Sequence, residues 1–192
     1  MNACKLFFIL LLSLCIVSCQ EDSDVKNTHT ISGKIGYPGE VFVPSGFTVD
    51  LILDDHVIAT SDHHDGLFSF SDLEEGKTYY VVPRAEDSNN GVSALDKVQI
   101  EKYLLDELTL DPYQKLAADV NRDNHIDQAD IDGIVNCIIS QQCFSWRFAT
   151  ADYDGNGIGS HDPYSVPNLS SDVEVILVPI KIGDVNGTIR PH

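Results

Sequence analysis

The sequence predicts an α+β, multidomain chain, in which an N-terminal antiparallel β-sandwich is followed by a small pair of loop–helix units and a C-terminal β segment. Three observations carry this. Between residues 30 and 84, short runs rich in β-branched and aromatic residues recur, with Gly, Pro, Asp and Ser clusters between them. Their spacing, about ten residues from turn to turn, suits an antiparallel sandwich better than a parallel sheet. After Arg84 the apolar residues change to helical spacing, and a 34-residue shift lays one helical stretch over the next.

Residues 1–18 are expected to be removed as a lipoprotein signal peptide. "MNACKLFFILLLSLCIVSC" has Lys5 in a short head and an apolar run from Leu6 to Val17, too short to span a bilayer. "IVSC" at 16–19 resembles a bacterial lipobox, which implies lipidation of Cys19 and a membrane anchor there; the alternative is an ordinary signal with a chance cysteine. The following "QEDSD" resembles the acidic tract of outer-membrane lipoproteins exposed on the surface of Gram-negative bacteria. Residues 19–29 are polar and acidic, with almost nothing to bury, and are expected to form a flexible tether.

The formal charge is −18, and the signal holds only one of the basic residues, so the mature chain is more negative still. Such a field repels nucleic acid and anionic lipid and attracts cations. A nucleic-acid partner is excluded on this ground. Of the five cysteines, Cys4 and Cys15 leave with the signal and Cys19 takes the lipid. Cys137 and Cys143 remain, and in an oxidising compartment they are expected to form a disulfide, two free thiols being the alternative.

The runs expected as strands are "TISGKIGY", "FTVDLILDD", "HVIATS", "GLFSFSDL" and "KTYYVVPR", all within 30–84. In "SDHHDG" (61–66), Asp65-Gly66 is a turn dipeptide, and neighbouring histidines on extended backbone point apart, so a turn is expected there rather than a metal site. The "T-S-D-x-x-x-G-L-F-S-F" hairpin followed by "L-E-E-G-K-T-Y-Y-V" resembles the small extracellular Cna-B or carboxypeptidase-regulatory-like β-sandwiches, which implies a spacer or stalk.

In the helical region, "ALDKVQIEKYLLDEL" puts Ile100, Tyr103 and Leu104 on one face. "ADIDGIVNCIIS" does the same with Ile131, Ile134, Val135, Ile138 and Ile139. Between them, Asp111 is placed to cap a helix that begins at Pro112. The 34-residue shift sets Val92 on Ile126, Ser93 on Asp127, Asp96 on Asp130, Ile100 on Ile134 and Leu104 on Ile138. Residues 85–143 are therefore expected to be a duplicated loop–helix unit. Residues 144–192 are expected to be an irregular and β extension packing on the preceding parts, with "VEVILVPIKIG" as a closing strand or strand pair.

The most chemically loaded stretch is "DVNRDNHIDQAD" at 119–130. Calcium takes six to eight oxygens, mostly carboxylates and carbonyls, and a tight twelve-residue loop supplies them from alternate positions. Asp119, Asn121 and Asp123 occupy the first, third and fifth positions; the backbone carbonyl of His125 occupies the seventh, Asp127 the ninth and Asp130 the twelfth. The sixth position needs positive φ, which Asn124 tolerates. Helix capping alone would explain Asp127 and Asp130 but not residues 119, 121 and 123. Weaker candidates are Asp87, Asn89, Ser93 and Asp96 in the first repeat, which lacks its first ligand at Ala85, and Asp152, Asp154 and Asn156 in "DYDGNG".

Paired loop–helix units closing on Asp, as in "ADVNRDNHIDQADIDGIVNCII", resemble a dockerin type I module, with EF-hand-like calcium loops, over residues 86–140. The resemblance implies Ca2+ as the cofactor, folding on calcium, and a cohesin-like or other surface protein as partner, commonly in polysaccharide breakdown. "GDVNG" within "IKIGDVNG" (181–187) resembles the opening of such a loop; the sequence stops short of completing a third one, so this piece is expected to pack as a strand. Family recognition uses loop positions ten and eleven, often Ser-Thr, which here hold Ala94 and Leu95 and then Gln128 and Ala129, and the second helix has no Lys or Arg from Gln128 to Gln142. The calcium chemistry thus carries over further than the typical partner.

No G-x-S-x-G, H-E-x-x-H or phosphate-cradling Gly loop occurs, so the chain is expected to be non-catalytic. The leading expectation is a calcium-stabilised surface lipoprotein with a structural or protein-interaction role. The alternatives are a recruitment subunit of a cohesin-linked, polysaccharide-degrading assembly and a carbohydrate-binding surface protein, for which Trp146 is the only tryptophan available.

Overall fold

The computed structural model describes residues 26–37, 46–61, 66–85, 91–156, 159 and 163–188. Five strands occupy the five expected runs: β1 (Thr28–Ile35), β2 (Phe47–Leu53), β3 (His56–Ser61), β4 (Leu67–Glu74) and β5 (Tyr79–Ala85). Helices α1 (Ala94–Leu104), α2 (Pro112–Ala118) and α3 (Gln128–Ser140) follow, and then strands β6 (Trp146–Thr150), β7 (Tyr164–Val166) and β8 (Val173–Lys181). The class is α+β, with two four-stranded sheets and a helical pair after the first strands.

The two sheets run β4-β1-β8-β6 and β3-β2-β5-β7, so each combines strands from both sides of the helical region. The pairings are antiparallel except β1 with β8, which run parallel from Ile31 opposite Val173 to Ile35 opposite Leu177. A strand that returns after more than a hundred residues can pair in either sense, which hairpin spacing does not foresee. Where β1 passes β8, Gly33 is required, because a Cβ there would lie 2.1 Å from the Val175 carbonyl oxygen and 2.6 Å from the Phe68 ring.

The sandwich core is built from the inward residues of both sheets, among them Ile31, Leu51, Phe68, Tyr79, Val81, Phe148 and Leu177. β8 is apolar on both faces for a reason. Val175 and Leu177 point into this core, while Val178 and Ile180 pack with Leu116 and Ala117 of α2 on the other side. A strand covered on both faces loses the alternating pattern of a half-exposed one.

The helical pair has its own core, in which Ile100 and Ile134 are fully buried beside Val120, Ile131, Ile182 and Val185. Leu104 and Ile139, expected on the apolar faces, are 42% and 76% exposed. The pair buries the seam between its helices and the side that meets Ile182 and Val185, and Leu104 and Ile139 lie away from both. The second departure from expectation follows Lys181. There the strand stops, and Ile182 to Thr188 form successive turns that pack under the helices instead of extending the sheet.

Candidate metal centre

Loop 119–130 joins α2 to α3 and is closed by its own side chains. Asp119 caps the C-terminus of α2, and its two carboxylate oxygens accept the N–H groups of Asp123 (3.0 Å) and Asn124 (3.2 Å). Asn121 accepts the Asp123 N–H at 3.0 Å and donates its amide to the Asp123 carboxylate at 2.9 Å. Asp123 in turn accepts the His125 N–H at 2.8 Å. Arg122 and Asn124 take φ of +63° and +65°, so the left-handed conformation expected of the sixth position is present at Asn124.

At the far end, Asp127 and Asp130 form a capping box on α3. Asp127 accepts the Ala129 N–H at 2.7 Å, and one oxygen of Asp130 accepts the Asp127 N–H at 2.8 Å. The other oxygen of Asp130 reaches across the loop to the Val120 N–H at 2.9 Å, tying the last position to the first. A plain cap does not make that second bond.

The electrostatics differ between the carboxylates of the loop. Asp130 is fully buried, and burial pushes its carboxyl above the ordinary range, the neighbouring Asp119 adding to this against three backbone N–H bonds. Asp123 is exposed, and the His125 N–H, followed by the Asn121 amide, lowers its carboxyl. Asp119 is buried and meets Arg147 of β6, whose guanidinium lies 3.4 Å from its carboxylate and is itself buried. Sequence reasoning missed Arg147, since its partner is 28 residues away and only the fold brings them together. His125 is exposed at the seventh position, its Nδ1 3.0 Å from the Asp123 carbonyl oxygen.

Among the described residues, no three His, Cys, Asp or Glu side chains are drawn together as a closed metal shell. The loop carboxylates accept backbone N–H groups instead, each keeping further lone pairs. All five side chains present hard oxygen donors, the set calcium takes and softer metals do not prefer.

Asp87, Asn89 and Cys19 lie outside the described residues, as do 62–65 of "SDHHDG". Ser93 and Asp96 form a capping box on α1 that repeats the one on α3, with the Ser93 N–H and hydroxyl on Asp96 at 2.8 and 2.9 Å. Asp96 is fully buried; burial raises its carboxyl and nearby Asp184 adds to the rise. In "DYDGNG", Asn156 donates its N–H to Asp154 at 2.7 Å, while Asp152 lies by Tyr113 and Tyr164, whose hydroxyls are raised by burial first and by Asp152 second. A disulfide joins Cys137, in the last turn of α3, to Cys143 just beyond the helix. Trp146 is half-buried, edge-on to Phe47 at 5.2 Å with the Lys181 ammonium 5.7 Å from its ring centre.

Residues 86–139 match the dockerin type I domain family. No curated protein matches the chain. Two solved structures of the pilus-presented adhesin Spy0125 (Cpa), one of them a mutant, share 11% identity with it, at TM-scores of 0.29 and 0.27. The match covers 82% of this chain but only 28% and 27% of theirs.

Proposed function

We propose that this is a non-catalytic, calcium-stabilised surface protein in which the dockerin type I region acts as a protein-interaction module. The observation that carries the calcium reading is the position of Asp130, which is fully buried, bonded both to Asp127 and across the loop to Val120, and set near buried Asp119. Two carboxylates held together at low exposure repel one another until a cation neutralises them, so metal binding becomes folding free energy. Asp119, Asn121, Asp123 and Asp127 would hold the ion with Asp130, and the His125 carbonyl would add an oxygen. The ion's role is structural.

Chelation should therefore lower the melting temperature. With free calcium at 100 times its dissociation constant, the linkage is about 2.7 kcal/mol. Asp123→Ala should remove most of the difference between calcium and chelator. It is a better probe than Asp119→Ala, which would also strand buried Arg147. An unchanged melting temperature on chelation would sink the structural-calcium claim.

The division that suits this role is a sandwich begun by 30–84 and completed by the strands of 144–192, with the calcium region over 85–143 inserted between them. Lipidation at Cys19 and display on the outer membrane complete the proposal. Metabolic labelling with a fatty acid should mark the wild-type chain and not Cys19→Ala, and equal labelling of both would remove the anchor.

A recruitment role has an observation of its own. Leu95, Leu104, Leu105 and Ile139 of the helical pair are exposed by 65%, 42%, 68% and 76%, apolar surface that a cohesin-like partner could cover. A calcium-dependent pull-down from the organism's surface fraction that recovers a cohesin-bearing protein supports this role; recovery of none favours a stalk. Glycan binding at Trp146 is less well supported, because Phe47 and Lys181 already occupy its ring.

A further inference from the structure

The turns after β8 repeat the main closing bonds of the calcium loop. In loop 119–130, Asp119 and Asn121 both accept the N–H of the fifth residue, Asp123. In the later segment, Asp184 and Asn186 both accept the N–H of Thr188, at 2.9 and 3.1 Å. Asp130 accepts the Val120 and Asn121 N–H groups with one oxygen and the Asp127 N–H with the other. Asp96 accepts the Asn186 N–H with one oxygen, at 2.9 Å, and the Ser93 N–H with the other. The surroundings match as well: Val185 lies in the same core as Val120, and Ile100 in the same core as Ile134.

We infer that Asp184, Asn186 and Thr188, together with Ser93 and Asp96, form a second calcium site divided between two segments about 90 residues apart in the chain. The first half of its loop lies after β8 and the second half at the start of α1. This inference rests on the calcium reading of loop 119–130, whose pattern it shares. The family match ends at residue 139, short of the segment that supplies the first half.

The donor set fits the ion. Asp96 and Asp184 are 0% and 7% exposed, and the remaining side chains present an amide and two hydroxyls, all hard oxygen donors. One further observation points to a ligand. The Asn186 side-chain nitrogen is buried and has no hydrogen-bond partner. In the first loop the corresponding Asn121 nitrogen donates to Asp123, and here the fifth position is Thr188, which offers no carboxylate. A site with two carboxylates leaves more of the ion's shell to water, and a coordinated water is the acceptor that this buried donor needs. Gly183 permits the approach, with φ of +86° and a Cβ position only 3.1 Å from Val92 and Phe144.

The site would act as a clasp, holding the end of β8 to the first helix of the pair. The test is calcium titration of the stripped full chain by calorimetry and native mass spectrometry, with hydrogen exchange read in calcium and in chelator. Asp184→Asn should bind one ion fewer than wild type, and Asp123→Ala should lose a different one. Calcium should slow exchange at 184–188 and 93–96 together in the wild type, and in Asp184→Asn only the slowing at 119–130 should persist. Undiminished binding by Asp184→Asn overturns the inference. So does calcium protection confined to 119–130 in the wild type, which leaves the first site intact. Binding of no ion by the wild type overturns both sites. The exchange comparison within the wild type decides the matter even if a variant folds poorly.

Discussion

Arg147 is the residue on which the first loop's charge balance turns. It is buried, it faces buried Asp119, and its Nε finds no hydrogen-bond partner. Removing one member of a buried ion pair leaves the other uncompensated, at a cost of about 3–5 kcal/mol. Arg147→Ala should therefore lose about that much stability in chelator, measured by urea unfolding. In calcium the loss should be smaller, because the ion would then balance Asp119. An equal loss in both buffers would place the ion away from Asp119. The five oxygen-bearing positions and the left-handed Asn124 were legible in the sequence because they obey a local spacing, whereas Arg147 obeys none. The partners of the first repeat were hidden for the same reason, since Asp184 and Asn186 are distant in the chain from Ser93 and Asp96.

At the scale of the element, the helices follow from their caps. Ser93, Asp111 and Asp127 each begin a helix with a capping box, and Pro112 starts α2 at the position where its missing N–H costs nothing. Ile134 is fully buried at the seam, so Ile134→Ala should cost about 2–5 kcal/mol. The Cys137–Cys143 disulfide closes a short loop with a sequence separation of 6, for which loop-closure entropy gives about 2 kcal/mol. The double change to serine should lower the denaturation midpoint accordingly, and a reductant should then have no further effect. An unchanged midpoint would show that α3 ends as firmly without the bond. The outward turn of Ile139 and Leu104 was not legible, because periodicity gives the direction of a side chain but not how many layers cover it.

For the whole molecule, the central fact is that β8 lies between β1 and β6, in the interior of a sheet whose other strands come from both ends of the described chain. A fragment of residues 26–85 would lack β8 and β6, expose Ile31, Ile35 and Phe68, and leave the β1 edge unpaired. Such a fragment should show no cooperative unfolding by calorimetry or circular dichroism; a sharp transition would mean that the first five strands suffice. The same strand carries the chain on to Ile182 and Val185 in the helical core, so the sandwich and the loop–helix pair should unfold together. The sequence by itself determined the five first strands, the three helices and the oxygen-rich loop 119–130, because turn residues, caps and the spacing of polar side chains act over a few residues. Only the tertiary structure decided that the last strand enters the first sheet and that "GDVNG" meets Val92 and Asp96. Those pairings depend on which distant surfaces bury together, and a local pattern holds no record of that.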